Sequence, residues 1–158
     1  MPLARRARSV LVAVAVALAP TLGGALSGST NGCARHEPDA LPGVRLGMTP
    51  RDVRDRFDAG GPGTWQTRVG AGDDTVLEWT AQGSGARIAQ ARFEFHLGML
   101  VAIRARLVEP SSSDKVELTP RTVTSRRPAE EGGTEVAVLA RDCPPHREEA
   151  ESLAGRVR

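Results

Sequence analysis

Apolar and polar residues alternate with a period of two in several short runs between Trp65 and Ala140, the spacing of half-buried strands. Trp65, Thr67 and Val69 alternate with polar neighbours, and so do Leu77 and Trp79. Phe93 and Phe95 point to one side of a strand, with Arg92, Glu94 and His96 on the other. Val101, Ile103, Ala105 and Leu107 then share a face opposite Arg104 and Arg106. Leu97-Gly98-Met99 between the two runs supplies a turn, so the pattern predicts a hairpin near 93–107. Residues 116–126 and 135–140 read as two more strands, joined by the polar loop through Glu130, Glu131, Gly132 and Gly133.

Two segments have the helical period instead. Residues 48–57 carry a full start signal: Thr49 as N-cap, Pro50 in the first helical position and Asp52 in the third. Met48 and Val53 occupy the two positions of a hydrophobic staple, and Phe57 follows Val53 by four. Gly60, Gly61 and Pro62 end that helix. A last helix is expected over 144–154, capped by Asp142 or Cys143, with Ala150, Leu153 and Ala154 as its apolar stripe. The fold class expected is α+β: a short N-terminal helix on an antiparallel meander, closed by a C-terminal helix. Thr49-Pro50-Arg51 recurs as Thr119-Pro120-Arg121, but Thr122 and Thr124 favour a strand there, so the echo is read as chance.

The start of the chain sets the compartment. Arg5, Arg6 and Arg8 precede an unbroken apolar run over 10–19, which Pro20, Gly23 and Gly24 end, and no acid appears before Glu37. This is the layout of an export signal, expected to span residues 1–27, and the run is about half the length a membrane-spanning helix needs. Residues 28–42 read as a flexible tether, and 43–158 as one small α+β domain. The segment through Ser27 holds three arginines and no acid, so its removal turns the formal charge from +2 to −1. A chain so nearly neutral argues against a nucleic-acid partner. Lys115 is the single lysine beside many arginines, a bias that fits a GC-rich bacterial genome. Five aromatic residues and no tyrosine leave a core built mostly from Val, Leu, Ile and Ala.

Gly47-Met48-Thr49-x-x-Asp52-Val53-x-x-x-Phe57, Gly60-Gly61-Pro62, Trp65 and Phe93-x-Phe95-x-x-Gly98-x-Leu100-x-x-Ile103 together resemble the SmpA/OmlA-type small domain. That domain occurs in outer-membrane assembly lipoproteins and in the β-lactamase-inhibitor-protein-like fold. The resemblance covers about residues 43–108. It implies a short helix after the entry motif, an antiparallel meander, and a role in binding proteins or scaffolding envelope machinery. The chain between the first helix and the hairpin is long and glycine-rich for that family, and nothing after Val108 has a counterpart in it.

The two cysteines, Cys33 and Cys143, admit several readings. In an exported chain they most simply form one disulfide, closing a long loop worth about 4 kcal/mol in the chain-entropy account. Alternatively, and in keeping with the family resemblance, Cys33 is the acylated residue of a lipoprotein, although only Gly32 fits the expected signal. Cys33-x-x-His36 and Cys143-x-x-His146 also offer two thiolates and two imidazoles, a ligand set suited to zinc. A fourth reading makes Cys143 a nucleophile at a helix start beside His146. His96 is read as solvated beside its turn, and Arg92, Arg104 and Arg106 as an ordinary wet sheet face rather than a site for an acidic partner. The sequence thus predicts an exported cell-envelope protein, periplasmic, outer-membrane-associated or extracellular. Its expected role is non-catalytic protein binding or scaffolding with another envelope protein, without enzymatic activity or cofactor. The rival reading is a metal- or thiol-dependent protein centred on Cys143 and His146 with Cys33 and His36.

Overall fold

The computed structural model describes residues 39–70 and 74–156. The segment read as an export signal, Cys33 and His36 therefore lie outside the described residues, as does most of the stretch read as a tether. Helix α1 (Pro50–Arg56) begins where its caps place it. Asp52 N–H donates to Thr49 Oγ1 at 3.2 Å, and Thr49 N–H donates back to Asp52 Oδ2 at 3.2 Å. That exchange satisfies two of the amides a helix start leaves over. Hydrogen bonds from Thr49 hold the exposed Asp52 carboxyl below its ordinary range.

Seven strands follow: β1 (Gly63–Val69), β2 (Thr75–Ala81), β3 (Ile88–His96), β4 (Met99–Leu107), β5 (Lys115–Leu118), β6 (Thr122–Pro128) and β7 (Thr134–Ala140). They form one sheet in the order β1-β2-β3-β4-β7-β6-β5, and every neighbouring pair is antiparallel. The β3–β4 hairpin turns on Leu97 (φ 51°) and Gly98 (φ 74°). Two consecutive positive φ angles match the right-handed twist of the strands, and glycine takes the second without strain. Residues 108–114 then carry the chain past two strand positions to the far edge, and β5 and β6 return so that β7 docks against β4.

One face of the sheet is the main core. Leu77, Phe93, Phe95 and Ile103 are almost wholly buried there, with Trp79, Ala91, Ala105, Val136 and Val138 beside them. Phe57, the residue that caps α1, sets its ring edge-on to Trp65, Trp79 and Phe93, with centroids 5.6, 5.4 and 5.1 Å away. Edge-to-face packing suits the ring quadrupoles. Leu41, Val44, Leu46 and Met48 complete the cover. Two backbone bonds fasten this segment to β4: Gly47 N–H donates to Leu100 O and Leu100 N–H to Met48 O, both at 2.8 Å. Packing thus reaches Leu41, inside the stretch read as tether. At Gly63 a Cβ would come within 2.2 Å of the Trp79 ring, so only glycine lets that indole lie over β1.

The coarse class is α+β, although strands predominate. Three expectations need correction. The N-terminal helix does not form a layer on the sheet, because it has seven residues and buries only Val53. The irregular segment before it and Phe57 after it do the covering. Residues 116–126 do not form one strand, because Pro120 interrupts them. Thr119 Oγ1 accepts from Arg121 N–H and Thr122 N–H, closing a turn between β5 and β6. The last helix starts as a 3₁₀ turn over Pro144–His146 and continues as α2 (Arg147–Gly155), and no side chain caps either start. Helix α2 packs Ala150 on Ala102, Val123 and Leu139, with Val116 and Leu153 alongside, covering part of the opposite sheet face.

Phe93→Ala removes the ring shared by Phe57 and Trp65 and is expected to lower unfolding free energy by about 3–5 kcal/mol. Denaturant titration followed by tryptophan fluorescence measures it.

Candidate interaction face

The outer sheet face is built from the residues that alternate with the core. Register places Gln66, Glu78, Arg92, Arg104 and Ala137 in one row across β1, β2, β3, β4 and β7. Arg92 stands directly opposite Arg104, an arrangement that costs free energy unless carboxylates intervene. They do so on every side. Glu78 accepts from Arg92 at 2.8 Å and lies 3.1 Å from Arg68. Glu94 Oε1 accepts from Arg92 Nε at 2.9 Å and from Arg104. Glu149, on α2, accepts from the other nitrogen of Arg104 at 2.6 Å. The neighbouring carboxylates, Glu94 chiefly, hold the Arg92 guanidinium above its already high ordinary value.

His146 closes the network. It stands at the junction of the 3₁₀ turn and α2 with 9% exposure. Its Nε2 lies 3.3 Å from Glu94 Oε2, and its Nδ1 3.9 Å from Glu149 Oε2. Burial is the leading influence and holds the imidazole below its ordinary value; Arg104 acts in the same direction, and Glu94, Glu149 and Asp74 against it. His96 is not simply solvated as expected: its Nδ1 lies 2.8 Å from Asp74 Oδ1, and its side chain is 28% exposed. Among the described residues every fully buried side-chain polar atom has a partner.

The network floors an open groove of about 1380 Å³, bounded by the β6–β7 loop with Glu130 and Glu131, by β5, and by Leu153 and Arg156 near the end of α2. Arg106 and Arg127 line it too, held by Glu131 and Glu135. The three arginines flagged by the sequence thus do share this face, but its acidic partners are the chain's own. Glu78 and Glu149 were the residues that sequence reasoning missed. Only the cross-strand register, which alternation alone does not give, sets Glu78 beside Arg92.

Cys143 is fully buried in the main core, while both nitrogens of His146 face carboxylates on the outer side. The two do not present a nucleophile and base to a shared cleft. Among the described residues there is no free cysteine, and no group of three or more His, Cys, Asp or Glu is placed to hold a metal ion. Compared with protein-family models, curated proteins and solved structures, the chain finds no match.

His146 gives this face a pH dependence. The folded chain binds the imidazole proton more weakly than the unfolded chain, whose value lies near 6.5. The associated stability is therefore complete above that value and declines as the pH falls below it. Unfolding midpoints are expected to drop between about pH 7.5 and about pH 5.5, and His146→Gln to flatten that drop. Equal slopes for the two proteins would contradict the assignment.

Proposed function

We propose that this chain is an exported, non-catalytic binding module of the cell envelope, which engages another envelope protein across its outer sheet face. The observation that carries the reading is the groove on the outer sheet face: α2 covers one end of that face only, and the groove presents charged side chains already positioned by lateral pairing. Preset guanidinium and carboxylate groups lose little freedom when a partner docks. A surface of alternating sign selects its partner by charge complementarity more than by area. Export rests on residues 1–27, and the SmpA/OmlA-type resemblance over 43–108 supports the envelope assignment. Cys33 is proposed as the disulfide partner of Cys143, a pairing that suits an oxidising compartment and the burial of Cys143.

Crosslinking in intact cells, with a photoreactive side chain in place of Gln90 on the groove floor, tests the reading. One discrete envelope-protein adduct is expected. Arg106→Glu together with Arg127→Glu should reduce its yield about tenfold or more, because two contacts on the groove change sign. Absence of any adduct from the groove, with adducts from α1 instead, would overturn the proposed face.

A further inference from the structure

We infer that β1 is a self-association edge, on which a second copy of this chain pairs antiparallel about Thr67 and continues the sheet across the dimer. The ladder fixes which groups are available. At one end of the β1–β2 pair Gly70 N–H donates to Asp74 O, and at the other Gln82 N–H donates to Pro62 O, both at 2.9 Å. The register between them runs unbroken from Gly63↔Ala81 to Val69↔Thr75. Antiparallel bonding alternates, so Thr64, Gln66 and Arg68 bond to β2. Trp65, Thr67 and Val69 then turn their N–H and C=O groups outward. Among the described residues no backbone group pairs with them.

The two sheet edges differ. Strand β5 is four residues long, carries Lys115 and Glu117, and runs into Pro120, features that discourage pairing. Strand β1 has seven residues in unbroken register, with neither a proline nor a bulge. Its one charge, Arg68, is drawn across the outer face to Glu78. Val69 is 79% exposed, the most exposed large apolar residue described. Arg54 donates to Thr67 Oγ1 and lies 5.9 Å from the centroid of the Trp65 ring, which steadies the strand's core-side face without touching its outward backbone.

The sequence of β1 complements itself in this register. With Thr67 on the two-fold axis, Trp65 of each copy lies across from Val69 of the other, an aromatic to β-branched pair on one face. On the opposite face Gln66 meets Arg68, so no charge carried by β1 itself stands directly opposite a like charge. The contact is isologous and closes after two copies, leaving the β5 edges outermost. An added strand gains main-chain hydrogen bonds along its length, the mode of strand augmentation.

The test is sedimentation-equilibrium mass measurement of the protein over a concentration series, with amide hydrogen exchange at β1. A reversible dimer is expected, with Trp65, Thr67 and Val69 amides protected. Val69→Lys adds charge at a solvent-exposed side chain and should weaken self-association about tenfold or more, releasing those three amides. Thr67→Pro removes an outward N–H that the β1–β2 ladder does not use, and should have the same effect. If that variant fails to fold, Val69→Lys still decides. A monomeric wild type overturns the inference, as does a dimer undiminished in Val69→Lys. A monomer whose β1 amides become protected only when another protein is added gives the edge to a foreign strand and also overturns it.

Discussion

Glu94 projects from the middle of the sheet, away from the aromatic core, and meets Arg92, Arg104 and His146 with its two oxygens. Three elements converge on that carboxylate: β3, β4 and the turn into α2. Without it, two arginines would face each other across neighbouring strands, and a nearly buried imidazole would lose its close partner. Removing one member of a partly buried network leaves the others uncompensated, which costs more than the pair contributes when intact. The outer face is thus shaped by electrostatic closure, much as the inner face is shaped by Phe57, Trp79 and Phe93. The two faces share one backbone, and the period-two alternation of β3 lets Phe93 and Glu94 serve them separately.

This division explains the groove. The buried apolar residues of the outer face gather where Ala102, Val123 and Leu139 meet Ala150. Helix α2 settles there and extends Glu149 toward Arg104. Beyond the reach of that helix, the face is polar enough to stay wet and ordered enough to present a fixed charge pattern. The proposed binding role rests on such a surface; Cys143 lies in the core, and His146 lies beside the carboxylates of Glu94 and Glu149.

Elements whose signals are local were legible in the sequence. The Thr49 cap, the β3–β4 hairpin and its Leu97-Gly98 turn depend on residues close to one another in the chain. The pair Thr49-Pro50-Arg51 and Thr119-Pro120-Arg121 shows where local reading stops. Both threonine hydroxyls accept from the amide three residues on. After the first, Asp52 returns a bond and the chain coils; after the second, Thr122 and Val123 are buried in a sheet and it extends. Tertiary burial decides between them. The docking of β7 on β4, and with it the place of α2 and the contact of Glu149 with Arg104, depends on a crossover that no periodicity encodes. The candidate site was therefore visible as a set of arginines with Glu94 beside Arg92, while Glu78 and Glu149, which complete their pairing, were not.

The most direct test of this account is amide hydrogen exchange along α2 in the native protein and in Glu94→Gln. If Glu94 anchors the turn into α2 through His146, and shares Arg104 with Glu149, amides of Arg147–Gly155 should lose protection while those of β3 and β4 keep theirs. Unchanged protection in α2 would show that apolar packing at Ala150 alone holds the helix, and that the charge network does not organise the outer face.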